Sequence, residues 1–328
     1  MRKIIDRKFC VAPMMGYTTP YARNLYRILS KKTFLFTEMI ATKTLIHSKD
    51  TQLIIANEIQ NPIALQVGGS EYEDLKLCSR LAYELNYDEI NLNVGCPSKA
   101  VQKGSFGACL MQDKTLVKNC LEAMQINKDI EVSIKCRIGL GKNFNYEFFE
   151  EFIEEVLQSG IKIVYVHARN AILKGISPKG NRNIPPLNYD FVTKIKSKFP
   201  HITFILNGGI NSINKALYLS KLHDGVMLGR LIQNNPFCLK DIDKLFYNQL
   251  SNYIISENTI KDYFSFIKPK VGKDSIYRLL SPLLNIFFGI PDGKQFKTEI
   301  HSRMKEQNFE MLEKIFLNFV KEKEILIN

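Results

Sequence analysis

The sequence predicts an α/β fold: a (β/α)8 TIM barrel with a C-terminal helical domain. Short apolar runs rich in Val, Ile and Phe recur eight times before residue 230, at 9–14, 34–40, 63–68, 89–95, 131–138, 163–168, 203–208 and 225–229. Segments of helical period lie between them, such as 72–85, with Leu75, Leu77, Cys78, Leu81, Ala82 and Leu85 at helical spacing, and 146–158, stopped by Gly160. The runs read as apolar on both faces, with strand bodies of plain Val, Ile and Leu, as in a parallel sheet covered by helices. An open doubly wound sheet would more naturally carry GxGxxG after its first strand, and "VAPMMGYTT" has none.

From about residue 246 the rhythm changes. "DYFSFIKP", "DSIYRLLSPLLNIFF", "KQFKTEIHSRMKE" and "FEMLEKIFLNFVKEKEIL" are helical in period, punctuated by Pro269, Pro291 and Gly293. The expected organisation is therefore a catalytic barrel at 1–245 and a helical domain at 246–328.

Barrels of this kind gather function at the carboxyl ends of their strands. In chain order those ends carry Pro13, Met14, Met15 and Gly16, then Glu38, then Gln66 with Gly68 and Gly69. The fourth offers Asn93, Gly95 and Cys96; the fifth, Lys135 and Arg137; the sixth, His167 and Arg169. Asn207, Gly208 and Gly209 end the seventh, and Gly229 and Arg230 the eighth. The last two groups fit a phosphate site, because glycines admit an anion close to backbone amides. They fit two ordinary left-handed turns as well. Lys135 suits either an anionic ring, such as that of a reduced flavin, or a salt bridge. His167 is a structural or a functional histidine, and Gln66 meets a heterocycle edge or caps its own loop.

Composition narrows the class. No apolar run is long enough to span a membrane. The start, "MRKIIDRKFCVAP", has no h-region, so no signal peptide is expected. Seven cysteines, at 10, 78, 96, 109, 120, 136 and 238, form an odd set without a CxxC pair. That argues against disulfides and a metal centre and for a reducing, cytoplasmic compartment. The net charge is +12, and residues 161–200 hold eight bases (Lys162, Arg169, Lys174, Lys179, Arg182, Lys194, Lys196 and Lys198) against one acid, Asp190. Such a belt suits a polyanion, with a merely solvated face as the alternative.

Eight ordered segments carry a resemblance: "VAPMMGYT", "FTEMI", "ALQVGG", "INLNVGCPS…GSFGACLM", "IKCRIG", "VHARNAILKGISPKGNRNIPPLNYD", "LNGGI" and "DGVMLGR". From about residue 9 to 237 the chain resembles the tRNA-dihydrouridine synthases, most closely the A-type bacterial branch. The resemblance implies FMN-dependent reduction of a D-loop uridine in tRNA to 5,6-dihydrouridine, near position 20/20a, with NADPH reducing the flavin. It assigns cofactor contacts to Pro13, Met14, Met15, Gly16, Gln66, Lys135, His167, Asn207, Gly208, Gly209, Gly229 and Arg230. The family's proton donor falls on Cys96, and contacts to tRNA fall on Asn93, Lys179 and Arg182. In that chemistry a hydride from flavin N5 reaches C6 and Cys96 gives a proton to C5. A thiol suits the second task because it keeps its proton at neutral pH. Gly95 and Pro97 would fix where it points, and Gly104 and Gly107 would let the following loop move over the substrate. Cys10, Cys78, Cys120 and Cys136 read as small buried hydrophobes, while a secondary role for Cys109 stays open.

The sequence departs from that branch in one place. Where its members usually carry a cluster of arginines, this chain has "GKQFKTEI", so Lys294 and Lys297 would stand in. A lysine keeps the charge and loses the bidentate fork. A monomer is expected, with no membrane or metal partner. The competing readings are an FMN barrel acting on a small molecule and a non-catalytic RNA-binding protein of the same fold.

Overall fold

The computed structural model describes residues 5–47, 60–250, 253–285 and 287–328. Residues 1–4, part of the stretch read for a leader, and Ile286, inside the second C-terminal helical segment, lie outside them. Eight strands form one parallel sheet: β1 (Phe9–Val11), β2 (Leu35–Ala41), β3 (Ile63–Gly68), β4 (Glu89–Val94), β5 (Glu131–Arg137), β6 (Ile163–His167), β7 (Thr203–Asn207) and β8 (Gly225–Leu228). Their order is β1-β8-β7-β6-β5-β4-β3-β2. The last gap is closed just ahead of β2, where the Val11 N–H donates to the Phe34 carbonyl at 2.9 Å and the Phe34 N–H to the Phe9 carbonyl at 3.0 Å. The sheet is thus a ring, as expected from the eightfold rhythm. β1 stops three residues early because the chain turns at once after Pro13, with the Tyr17 and Thr18 amides donating to the Met14 carbonyl.

Successive side chains on a strand point to opposite faces, and the two faces differ. The outward residues join one apolar core with the surrounding helices, for example Ile90, Leu92 and Val94 against Val117, Cys120 and Leu121. A separate interior cluster holds Cys10, Ala12, Phe34, Phe36, Ala64, Ile163, Tyr165, Ile205 and Met227. Between β3 and β5 the interior is polar instead, with Gln66, Glu89, Asn91, Asn93 and Ser133 all buried. Strand bodies apolar on both faces were expected; for β4 and β5 the inward face departs from that. These groups are tolerated because they hydrogen-bond one another, as buried polar groups must.

The C-terminal helices Glu257–Ile267, Ile276–Leu280, Gly293–Arg303 and Phe309–Ile327 close around a ring cluster. Phe296 lies 4.1 Å from Phe319 and 5.2 Å from Phe316, centroid to centroid, and Phe287 lies 4.6 Å from Phe319. Such pairs add about 1 kcal/mol each beyond area burial. The cluster is continuous with the barrel's outer core. The Tyr21 hydroxyl on helix Pro20–Leu29 donates to Asp274 Oδ2 at 2.9 Å, tying the two parts together. Position 246 falls inside the helix Ile242–Tyr247, and the chain breaks at Asn248, in the left-handed region at φ 54°.

Gly225 is where the barrel leaves no room: a Cβ there would overlap the Arg7 carbonyl, a backbone atom that cannot step aside. Gly225→Ala is expected to lower the unfolding free energy in urea by about 3 kcal/mol. Gly141→Ala, strained only by its φ of 82° in open space, should lose about 1 kcal/mol.

Candidate functional site

The fourth strand ends in a turn built around one side chain. Asn93 Oδ1 accepts the N–H of Gly95 at 3.1 Å and of Cys96 at 3.0 Å, an Asx-type turn that lifts Cys96 clear of the barrel. The thiol is partly exposed, 3.6 Å from Ser98 Oγ. The loop then doubles back, and the Ala108 N–H donates to the Cys96 carbonyl at 2.9 Å. That approach needs Gly107: its φ is 79°, and a Cβ there would stand 2.6 Å from the Cys96 oxygen. Gly104 and Gly68 meet opposite edges of the Phe106 ring, and a Cβ on Gly68 would come within 2.7 Å of it. In this structure the loop glycines serve close packing around Cys96 and Phe106. Cys109 directs its sulfur to the Phe106 carbonyl at 3.1 Å and does not line the cavity described next. Cys10, Cys78, Cys120 and Cys136 are buried, and burial pushes their thiols up, to about 12 for Cys136.

A cavity of about 880 Å³ opens over the carboxyl ends of the strands. Cys96, Asn93 and Arg182 line it, with Pro13, Met14, Met15, Gln66, Lys135, His167, Asn207, Gly208, Gly209, Gly229 and Arg230. Gly16 does not; its N–H donates to Glu38 Oε1 at 2.5 Å, and Glu38 does line the cavity. Lys179 is exposed beside the turn Gly180–Arg182, outside the lining. Lys294 is exposed. Lys297 Nζ donates to Asn285 Oδ1 at 2.9 Å, and Asn285 Nδ2 to the carbonyl of Gln233, a lining residue, so the helical part reaches the rim.

Charge in the cavity is one-sided. Lys135, Arg137, Arg182 and Arg230 line it, and Glu38 is the sole carboxylate to do so among the described residues. Lys135 has no acid beside it; Nζ donates to Asn207 Oδ1 at 3.3 Å. Burial, then Arg137, brings its pKa down to about 8. Burial and the cations Arg137, Lys135, Arg169 and Arg230 hold His167 well below its usual value, so the imidazole is neutral, and its Nδ1 is buried without a partner. Arg137, brought down to about 10 chiefly by burial, donates to the carbonyls of Gly95, Asn170 and Asn181. It thereby locks the Cys96 turn to the loop after β6. Across that loop Arg230 donates to Asn183 Oδ1 and to the Arg182 carbonyl, at 3.3 Å for the latter.

Acid-free buried cations, an orphaned imidazole nitrogen and the positive-φ pair Gly208 and Gly209 fit an anionic ring compound with a phosphate, as FMN is. Among the described residues no group of three or more His, Cys, Asp or Glu is placed to hold a metal ion, and no helix is long and apolar enough to cross a membrane.

Arg137 was legible as the inward neighbour of Lys135, two residues on. Arg23 and Gln233 carry no sequence signal of site membership, yet both line the cavity. The basic belt at 161–200 divides. Lys196 pairs with Asp224 at 2.7 Å, Lys198 with Glu150 at 3.1 Å and with Glu154, and Lys194 lies 5.5 Å over the Tyr146 ring. Lys162, Lys174, Lys179, Arg182 and Lys194 are exposed with no carboxylate partner among the described residues, and of these Lys174, Lys179 and Arg182 lie in the loop after β6.

The dihydrouridine synthase (Dus) family model matches residues 10–322. The tRNA-dihydrouridine(20/20a) synthase of Vibrio cholerae is 40% identical over 296 residues, covering 89% of this chain and 90% of that protein. Its counterpart from Vibrio parahaemolyticus is 38% identical over 295 residues, covering 89% and 90%. A solved structure, the old yellow enzyme homologue from Zymomonas mobilis, superposes with a TM-score of 0.52 at 11% identity, over 78% of this chain and 92% of that one, a likeness of fold alone.

The buried Lys135 ammonium should tax the ligand-free protein. Its pKa is about 8 folded and near 10.5 unfolded. The penalty is therefore complete below pH 8 and fades as pH rises to 10.5. Lys135→Met is expected to raise the pH 7 unfolding free energy by about 2 kcal/mol. The gain should vanish by about pH 10.5; a pH-independent gain would refute this account.

Proposed function

This chain belongs to the dihydrouridine synthase family, and from that premise we propose that it reduces uridine to 5,6-dihydrouridine in the D-loop of tRNA, at position 20/20a, with FMN as cofactor and NADPH as reductant. The observation that carries the reading is a partly exposed thiol sharing one cavity with an acid-free group of cations. When bound, FMN supplies the hydride for the reduction. Lys135 and neutral His167 would face its ring, Gln66 would offer an amide to its edge, and Pro13, Met14 and Met15 would form one wall, with Gly16 behind them on Glu38. Asn207, Gly208, Gly209, Gly229 and Arg230 hold its phosphate end. Cys96 gives the proton to C5 of uracil, and the turn on Asn93 fixes the thiol's origin at the strand end.

A uridine inside folded tRNA must be extruded to reach such a cavity, at about a few kcal/mol. Lys179 and Arg182 on the loop, with Lys294 and Lys297 on the helical domain, hold phosphates on either side of the mouth, contacts that position RNA without reading it. Asn93 lies close to the flipped base.

The test is position-by-position dihydrouridine content in bulk tRNA after incubation with the protein, FMN and NADPH. Conversion at 20/20a supports the reading; bound FMN with no dihydrouridine at any position overturns it in favour of a small-molecule substrate. Cys96→Ala should bind FMN and tRNA normally and lose at least about a hundredfold in turnover. Lys294→Ala with Lys297→Ala should weaken tRNA binding about tenfold at low salt and lower the salt dependence of binding by roughly two phosphate contacts. Flavin reduction by NADPH should be unaffected in that variant.

A further inference from the structure

The polar sector of the barrel interior is one directed chain, and its foot lies at the opposite end of the barrel from the cavity. The N–H of Gly95 and of Cys96 donate to Asn93 Oδ1 at 3.1 and 3.0 Å. Asn93 Nδ2 donates to Gln66 Oε1 at 2.9 Å, Gln66 Nε2 to Asn91 Oδ1 at 2.8 Å, and Asn91 Nδ2 to Ser133 Oγ at 2.7 Å. The Ser133 hydroxyl donates to Glu89 Oε1 at 2.5 Å. Glu89 Oε2 accepts from Arg7 Nε at 2.8 Å, Arg7 Nη2 at 2.7 Å and the Tyr165 hydroxyl at 3.2 Å. Glu89, Asn91, Gln66 and Ser133 are 0% exposed, so water does not compete for the links among these four.

The direction of the chain follows from its two ends. Backbone amides can only donate, and an ionised carboxylate can only accept. Burial raises the Glu89 pKa, and Arg7 with the Ser133 and Tyr165 hydroxyls draws it back. Four donors converge on its two oxygens, which leaves no oxygen without a donor. Between a donor-only top and an acceptor-only foot, each amide has one orientation. Each keeps its oxygen towards the cavity end of the chain and its NH2 towards the carboxylate.

We propose that Glu89, with Ser133 and Asn91, is a positioning element for the cavity: it sets which atom Gln66 and Asn93 turn towards a bound ring and holds the backbone turn that carries Cys96. This rests on the reading of Gln66 as a flavin contact and Cys96 as proton donor. It accounts for a carboxylate and a guanidinium kept inside a barrel, where an apolar pair of the same volume would commonly be at least as stable.

Ser133 is the link to cut, because Ser133→Ala removes one hydroxyl and leaves Arg7, Glu89 and Cys96 in place. Ser133→Thr keeps the hydroxyl. For Ser133→Ala the dissociation constant for FMN should rise about fivefold, with a shifted visible band of the bound flavin. Its kcat on tRNA should fall about tenfold while KM for tRNA stays the same. Ser133→Thr should restore affinity, spectrum and kcat to within about twofold of wild type. Wild-type affinity, spectrum and kcat in Ser133→Ala would overturn the proposal. Equal impairment of both variants, alongside a lower melting temperature, would overturn it too and leave a packing role. If the wild-type protein binds FMN and reduces no uridine, the functional reading fails, and the affinities and spectra of the two variants still decide the matter.

Discussion

A closed parallel barrel divides every strand by its two-residue side-chain period, and the rest of this molecule depends on that division. The outward face meets helices and must be apolar. The inward face meets only other strands, so it accepts polar groups wherever they complete one another. From β6 round to β2 the interior is filled by Phe34, Phe36, Ile163, Tyr165, Ile205 and Met227. From β3 to β5 it is filled by amides, a hydroxyl and a carboxylate linked end to end. The polar sector rises directly into the part of the mouth that holds Cys96 and Lys135. Interior and site are therefore one construction, in which the parallel registers Gln66 to Asn91 to Ser133 and Asn93 to Lys135 put the interacting groups at matching heights.

What the sequence made legible follows the same division. The outward pattern of Ile90, Leu92 and Val94 announced a strand, and eight repeats announced the ring. Apart from β1, strand ends could be located to within a residue, which was enough to find eleven of the twelve expected cofactor residues around a single cavity. The inward pattern was harder to use, because Asn91 and Ser133 have no local signature; their meaning lies in partners 42 residues apart in the chain. Glycines were ambiguous for a similar reason. A glycine-rich loop suggests mobility, whereas Gly68, Gly104 and Gly107 are explained by Phe106 and the Cys96 carbonyl coming too close for any side chain. A run of bases likewise says nothing of the acids that reach it from elsewhere, and Glu150, Glu154 and Asp224 engage two of the three lysines of the helix Tyr189–Lys198.

The cations split into two populations with different physics. Lys196 and Lys198 sit in surface ion pairs that contribute little and are screened by salt. Lys135, Arg137 and Arg230 sit in or over a cavity with hydrogen bonds to neutral oxygens and no carboxylate. Neutral acceptors satisfy the donors without cancelling the charge, so with Glu38 as the one lining carboxylate among the described residues the cavity keeps an excess of positive charge for a ligand to offset. His167 stays neutral because it is buried and surrounded by cations, and its unpartnered Nδ1 is free to meet a ligand.

Orientation and attraction are thereby assigned to different parts of the chain. Lys297 engages Asn285 with one donor and keeps two, a point charge on a flexible stem. Lys294 is freer still. Such groups draw in a polyanion without fixing its angle. The planar guanidiniums that line the cavity are all on the barrel, where Arg137 holds three carbonyls and Arg230 ties Arg182 to the rim of β8. Under the proposed function, a substrate held by lysines on the helical side and by the arginine frame on the barrel side would take its alignment from the barrel. The frame is fastened to the Gly95 carbonyl, one residue from Cys96. Any shift of the bound nucleotide relative to the frame is therefore also a shift relative to the thiol. That coupling permits lysines on the far wall: the residues that must be exact stand next to the chemistry, and those across the groove need only attract.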